Sequence, residues 1–248
     1  MRALEGKNAI ITGTNRGLGK TLVETLASEG CNIWAITRKS SDEFDVFVSH
    51  IAKNNNVLVT PIYADLSSED SIKDAYNTIN LEKRSIDILI NNAGVGHMGW
   101  LQLTKTEFIK QLYAVNVFAP MILSKLVLRN MSRQKYGRII NVASTAASEV
   151  YEGNSIYGSS KAALVAFTKS FAAEVFRYGV TVNAIAPGLI NTDMSVVFEG
   201  NNPDEPIRHT ALERKIETTE IANVVKCMLM NNMDIINGTV ITINGGHK

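Results

Sequence analysis

Only two cysteines, Cys31 and Cys227, occur among the 248 residues of this chain. Two thiols without metal-ligand spacing exclude a disulfide framework and a metal site, and both read as reduced core residues in a reducing compartment. Charge of one sign is lacking too: 25 basic residues stand against 24 acidic ones, a net of +1. Such a balance leaves no global field for nucleic acid or an anionic membrane. No apolar run approaches membrane-spanning length, and residues 1–7 lead straight into a strand with no apolar signal region before it. The expectation is a soluble cytoplasmic protein that binds neither nucleic acid nor membrane. Internal repeats and low-complexity segments are also missing.

What is present is a 45% share of hydrophobic side chains, enough for a sizeable core in one domain spanning 1–248. Short apolar runs alternate with longer amphipathic stretches, the pattern of repeated βα units around a parallel sheet. Strands are expected at residues 8–12, 32–36, 57–63, 86–90, 138–142, 180–185 and 239–243. Helices are expected at 18–28, 41–53, after Ser67 or Ser68 as N-cap, at 105–115 and 116–135, from Tyr157 to Tyr178, and at 219–230. Gly30 and Gly179 stand where helices should end. The polar stretch 191–208 reads as a mobile flap, the start of a substrate flap over 191–216. The fold class is α/β: a doubly wound parallel sheet of about seven strands with helices on both faces.

Thr12-Gly13-Thr14-Asn15-Arg16-Gly17-Leu18-Gly19 sits where the first strand becomes the first helix. Glycines there let the backbone approach a pyrophosphate, and the helix N-terminus supplies amide donors and the positive end of a dipole. This makes the doubly wound sheet Rossmann-type. A second absence then chooses the dinucleotide. Sites for NAD place an acid at the end of the second strand, on the ribose 2′-hydroxyl. Here that strand runs into Thr37-Arg38-Lys39, with no acid before Asp42. Arg38 is suited to clasp a 2′-phosphate with a forked pair of hydrogen bonds, and Arg16 can approach it from the other side. The expected cofactor is NADP(H), against the plain alternative of two solvated loop charges.

In Tyr157-Gly158-Ser159-Ser160-Lys161 an ammonium falls four residues after a phenol, on one helix face. A nearby cation favours phenolate and is expected to lower the Tyr157 pKa from its free value near ~10, making it a proton donor and acceptor. Spacing alone also fits an ordinary surface pair.

The glycine turn, Asn91-Asn92-Ala93-Gly94, Asn116, Ser144, the Tyr157/Lys161 pair and Pro187-Gly188 stand in one order. In this the whole chain resembles the short-chain dehydrogenase/reductase family. Gly137-Arg138-Ile139-Ile140, residues 182–188 and the ending Asn244-Gly245-Gly246 make it most similar to the 3-oxoacyl-[acyl-carrier-protein] reductases. The resemblance implies that Tyr157 gives a proton to a carbonyl oxygen as hydride arrives. It implies that Lys161 tunes Tyr157 and binds the nicotinamide ribose, Ser144 holds the substrate oxygen, and Asn116 kinks a helix and positions a relay water. Two hydroxyls would then stand where alkoxide charge develops. The plain alternatives are that Ser144 caps a strand end and Asn116 caps the helix it opens.

The resemblance also implies cofactor contacts from Gly13, Asn15, Arg16, Gly17, Leu18, Gly19 and Arg38. Further contacts are implied from Asp65 and Leu66 at the adenine, Asn92 near the nucleoside, and Ile190 and Thr192 at the carboxamide. It implies a homotetramer, since the catalytic helix carries Ala163, Leu164, Phe167, Phe171 and Phe176 on more than one face. Related reductases place two basic residues near the pocket mouth for acyl-carrier protein. Lys135 matches the first, whereas Tyr178 takes the second place with Arg177 one residue out of phase. Met194 and Phe198 of the flap would meet an acyl chain; Asp204, Glu205 and Arg208 read as solvated charges. His97 reads as a loop histidine and Trp100 as packing. Other readings are an alcohol, sugar or small-ketone dehydrogenase of the same family, or a non-catalytic dinucleotide-binding regulator.

Overall fold

In a computed structural model describing residues 2–199, 210–230 and 233–246, seven parallel strands form one sheet. They are β1 (Asn8–Thr12), β2 (Asn32–Thr37), β3 (Val59–Tyr63), β4 (Ile88–Asn91), β5 (Gly137–Val142), β6 (Val180–Pro187) and β7 (Val240–Ile243), in the order β3-β2-β1-β4-β5-β6-β7. Alternate side chains leave opposite faces of each strand. Ala9, Ile11, Ile88 and Ile90 therefore enter one core, while Ile10 and Leu89 enter the other. Helices α1 (Gly17–Ser28) and α2 (Asp42–Asn55) cover the first face through Leu22, Leu26 and Phe44. Helices α3 (Glu69–Leu81), α5 (Ala119–Gln134) and α6 (Ser155–Val175) cover the second through Ile72, Leu123 and Ala172. Between α3 and α5 lies α4 (Thr106–Tyr113); a short α7 (Val196–Glu199) follows β6, and α8 (Thr218–Leu229) joins the first face.

Local chemistry sets the boundaries. Ser41 Oγ accepts from the Phe44 amide at 3.2 Å and Ser68 Oγ from the Ser71 amide at 3.3 Å, so α2 and α3 start there. After α1, Gly30 adopts φ +86° and returns its amide to Ala27, while Cys31 returns its own to Leu26. The expected break between helices at Asn116 does not occur. Instead α4 and α5 are joined by a π turn, Ala114–Phe118, with Asn116 buried inside it. An extra residue in the turn keeps the helix going while changing which side chain points inward.

Two absences inferred from the sequence need correction. Counted through the π turn, Thr106–Gln134 is a 29-residue helix whose best window has mean hydropathy 1.4, long and apolar enough to cross a bilayer. Here its buried side belongs to the core, with Leu123, Val127 and Met131 packed on the sheet. Cys31 is buried as expected, but Cys227 is exposed on α8, because its position falls on the face turned from the sheet. Strand order reverses between β2 and β4, the two neighbours of β1. The crevice of a doubly wound fold opens at that point, beyond the carboxyl ends of β1 and β4.

Candidate active site

The turn after β1 is shaped by contacts only glycine permits. Gly13 and Gly17 have φ of +72° and +54°. A Cβ on Gly19 would lie 2.0 Å from the Gly13 carbonyl oxygen and 2.6 Å from Asn92 Nδ2. Asn92 Nδ2 donates to the carbonyls of Thr12 at 2.9 Å and Gly13 at 3.2 Å, while Thr12 Oγ1 accepts from the amides of Asn92 and Ala93, both at 3.0 Å. The ends of β1 and β4 are thus laced together. Asn92, expected to touch the nucleoside, also holds the turn through its amide and Nδ2. Arg16, the residue before α1, makes no side-chain cap, and no acid stands in the first helical turn. The first amides of α1 face this turn with nothing of opposite purpose beside them, and Leu18 behind them is buried. A cradle that any Cβ would fill, at a helix N-terminus, fits the pyrophosphate of a dinucleotide.

Beside the glycine turn, whose Gly13 and Thr14 amides donate to the Ile36 carbonyl of β2, Arg38 follows that strand and is exposed. Its charge is felt by Asp65, two residues past β3. The Asp65 carboxyl lies below the ordinary range because Ser67 gives it hydroxyl and amide hydrogen bonds at 2.7 and 2.9 Å, with the Arg38 charge adding to this. Leu66 packs on the second core beside it. Asn15 and Arg16 are exposed. Arg16 turns to the segment after β6, where its Nη1 pairs with Asp193 Oδ2 at 3.1 Å. Ile190 forms an isolated parallel bridge with Ile216, and Thr192 Cγ2 would stand 3.1 Å from a Cβ on Gly17. Thr192 is therefore brought to the glycine turn, with Ile190 two residues before it.

Tyr157 and Lys161 are both buried in the first turns of α6, with Nζ 5.8 Å from the centroid of the phenol ring. Lys161 Nζ donates to the Val142 carbonyl at 2.8 Å. Ser144, two residues past β5, accepts from the Ala146 amide at 3.2 Å, and its hydroxyl stands close enough to the Tyr157 phenol to favour the charged form. Capping and contact with the phenol coexist. Asn116 Oδ1 accepts from the Val95 amide at 2.8 Å; its Nδ2 donates to the Val95 carbonyl at 3.0 Å and to Ser160 Oγ at 3.1 Å. Ser160 Oγ in turn donates to the Tyr157 carbonyl at 2.7 Å. The π turn thereby anchors the helix that bears the tyrosine. Gly94 brings the groups into line, since its Cβ would be 3.5 Å from both Asn116 Oδ1 and Lys161 Nζ.

The expected lowering of the Tyr157 pKa is not found. Burial pushes the phenol up to about 12, against the pull of the nearby Ser144 hydroxyl, and pushes Lys161 down to about 8. Desolvation penalises either charge alone, and it outweighs the attraction expected from spacing.

Phe198 lies with its ring centroid 5.0 Å from that of Tyr157, the planes at 49°. A Cβ on Gly96 would meet Met194 Cγ and Phe198 Cε2 at 3.2 Å each. Both flap residues therefore stand beside the tyrosine, while Asp204, Glu205 and Arg208 lie outside the described residues. His97 Nε2 bonds Thr104 Oγ1 at 3.1 Å and its ring meets Phe108, which is a packing role. Trp100 borders a different cleft of about 470 Å³, lined by residues 146–155 with Gly158, Ser159 and Ala162; neither Tyr157 nor Ser144 reaches it.

The two basic positions expected at the pocket mouth are elsewhere. Lys135 ends α5 and Tyr178 follows α6, with Lys135 and Arg177 over the Tyr178 ring at 5.9 and 4.9 Å. Tyr157 opens the 21-residue α6, so these groups lie about 30 Å away along its axis. The reason is direction: α5 and α6 run back against the strands. Sequence reasoning also missed Thr12, Ser160 and Asp193. Ser160, between the tyrosine and lysine, was the one with a visible signal.

Residues 7–202 match the family model of the short chain dehydrogenases. The 3-oxoacyl-[acyl-carrier-protein] reductase of Aquifex aeolicus is 34% identical over 98% of both chains. A short-chain dehydrogenase of Burkholderia cenocepacia, solved in complex with NADP, superposes with a TM-score of 0.91 at 30% identity over 98% of both chains. The L-sorbose reductase of Gluconobacter frateurii, complexed with NADPH and L-sorbose, does so at 0.92 and 25% identity, over 100% of this chain and 98% of the other. With a glycine cradle at the switch point and Ser144 clustered with the buried Tyr157 and Lys161, this chain belongs to the short-chain dehydrogenase/reductase family and is an NAD(P)(H)-dependent oxidoreductase.

Proposed function

We propose that the protein is an NADPH-dependent ketone reductase acting on 3-oxoacyl-[acyl-carrier-protein] to give the 3-hydroxyacyl product, in the cytoplasm and as a homotetramer. The observation that carries the chemistry is the half-buried Ser144 hydroxyl beside the buried Tyr157 phenol, with Lys161 and Asn116 buried behind them. The apolar wall of Met194 and Phe198 favours an acyl substituent, and the Aquifex reductase shares that substrate class by name. Arg38 and Arg16 support the phosphorylated dinucleotide, since both are exposed cations beside the glycine cradle. Exposed Phe118, Phe176 and Leu103 beside the long helices support assembly. Two unpaired cysteines, one exposed, suit a reducing compartment.

Gly13, Gly17 and the first amides of α1 would hold the pyrophosphate, Thr192 and Ile190 the nicotinamide end. When bound, the reduced nicotinamide supplies the hydride. Ser144 and Tyr157 donate to the substrate carbonyl oxygen and hold it as negative charge develops. Tyr157 then passes its proton to that oxygen. A phenol pushed up to about 12 keeps its proton until the charge appears. The Lys161 ammonium stabilises the phenolate so formed, and Asn116 fixes α6 through Ser160. The same arrangement suits other ketones. The superposition on L-sorbose reductase and the remote position of Lys135 favour a sugar or small-ketone reductase as the second reading.

The test is NADPH oxidation with acetoacetyl thioester beside a panel of sugars and simple ketones. Turnover of the thioester above the sugars is expected; the reverse order establishes the second reading, and none at all a regulator. Tyr157→Phe should lower kcat by more than about a hundredfold while NADPH still binds. A variant with wild-type rate would overturn the mechanism.

A further inference from the structure

The Arg16–Asp193 pair joins the phosphate cradle to the flap, and it is built from one bond. Arg16 uses Nη1 alone on Asp193, leaving its other donors unused among the described residues. Both side chains are about three-quarters exposed, at 74% and 75%. An ion pair so exposed is worth little in water, so an incoming phosphate with nearly twice the charge of a carboxylate displaces it. Asp193 cannot retreat freely when that happens. Thr192, its neighbour, seats its methyl against Gly17, and the Ser195 amide and hydroxyl both bond the Thr192 carbonyl. Asn191 is held to Ile216 by backbone and to Glu217 by side chain. The backbone of Asp193 is therefore kept beside the turn, and its carboxylate occupies the guanidinium.

We propose that Asp193 is a specificity-determining residue that weakens selection for the 2′-phosphorylated dinucleotide by competing for Arg16. This rests on the NADPH reading above. A dinucleotide without the 2′-phosphate offers Arg16 no rival ligand and gains little from losing the carboxylate.

The experiment is a fluorescence titration giving Kd for NADPH and for NADH with wild type, Asp193→Asn, Arg16→Gln and the double variant. Asp193→Asn is expected to tighten NADPH by about two- to fivefold at low salt and NADH by less. That gain should vanish in the Arg16→Gln background, as a coupled pair requires, and shrink at about 1 M salt. Asp193→Ser, which shortens the side chain, should give the same ratio. Equal tightening of both dinucleotides, no tightening, or a gain that survives loss of Arg16 overturns the proposal while wild type still prefers NADPH. A wild type that binds NADH as tightly as NADPH overturns the cofactor reading, and the competition with it.

Discussion

The glycine turn and the flap press against each other at Gly17 and Thr192, yet they are held by different means. The turn is fixed from below. Thr12, Asn92 and the backbone of β1 and β4 bind it with buried hydrogen bonds, and Gly19 leaves no room to shift. Among the described residues the flap is tied by backbone bonds such as Asn191 to Ile216 and Ala211 to Gly246, whereas Asp193 and Phe198 meet the site through an exposed ion pair and a ring contact with Tyr157. Buried bonds, unmade, leave unsatisfied groups, whereas exposed pairs are replaced by water at little cost. The rigid part therefore suits the constant half of the reaction, the dinucleotide. The lightly held part suits the half that varies between relatives, the substrate.

If that division is right, the largest effect should come from the turn. Gly19→Ala places a methyl 2.0 Å from the Gly13 oxygen, with backbone and not a flexible side chain in the way. It should weaken dinucleotide binding by at least about tenfold and cost roughly 1–3 kcal/mol of stability, read by titration and by urea unfolding. Unchanged affinity would mean that the cradle yields.

An intermediate effect is expected at Lys161, which shares the buried floor. Its folded pKa is depressed from 10.5 to about 8 by burial. Between these values the unfolded chain binds a proton that the folded chain does not, so stability rises with pH across the window. Below about 8 the folded protein carries the cost of a buried ammonium. Lys161→Met should thus be more stable than wild type at pH 7, by up to about 3 kcal/mol, though inactive. The advantage should fade towards pH 10.5 in unfolding curves; an advantage independent of pH would refute the titration. The smallest effect belongs to the flap. Phe198→Ala should raise KM several-fold for long-chain oxoacyl thioesters and less for acetoacetyl thioester, with kcat nearly kept. Equal changes would show that Phe198 supports Tyr157 rather than the acyl chain.

Much of the rigid half was legible in the sequence. Seven apolar runs, glycines at strand-to-helix junctions and serines ahead of helices report local rules that act within a few residues. The Tyr157/Lys161 spacing likewise placed both groups on one buried helix face. What stayed hidden depends on residues far apart in the chain. The π turn at Asn116 follows from bonds to Val95 and Ser160. The particular partners of Asn92, Thr12 and Gly13, were hidden because they lie some eighty positions earlier. Lys135 looked like a pocket residue because sequence order does not reveal which end of the sheet a helix returns to.

The amino-acid order alone determined the βα alternation, the place of the glycine turn and the Tyr157/Lys161 pair on one helix face, because periodicity, turn stereochemistry and side-chain type are local properties. Tertiary packing decided the rest. It set the direction of the Tyr157 and Lys161 pKa shifts, turned Arg16 towards Asp193 and Cys227 towards solvent, and carried Lys135 away from the site. Desolvation and long-range pairing exist only once distant segments exclude water between them.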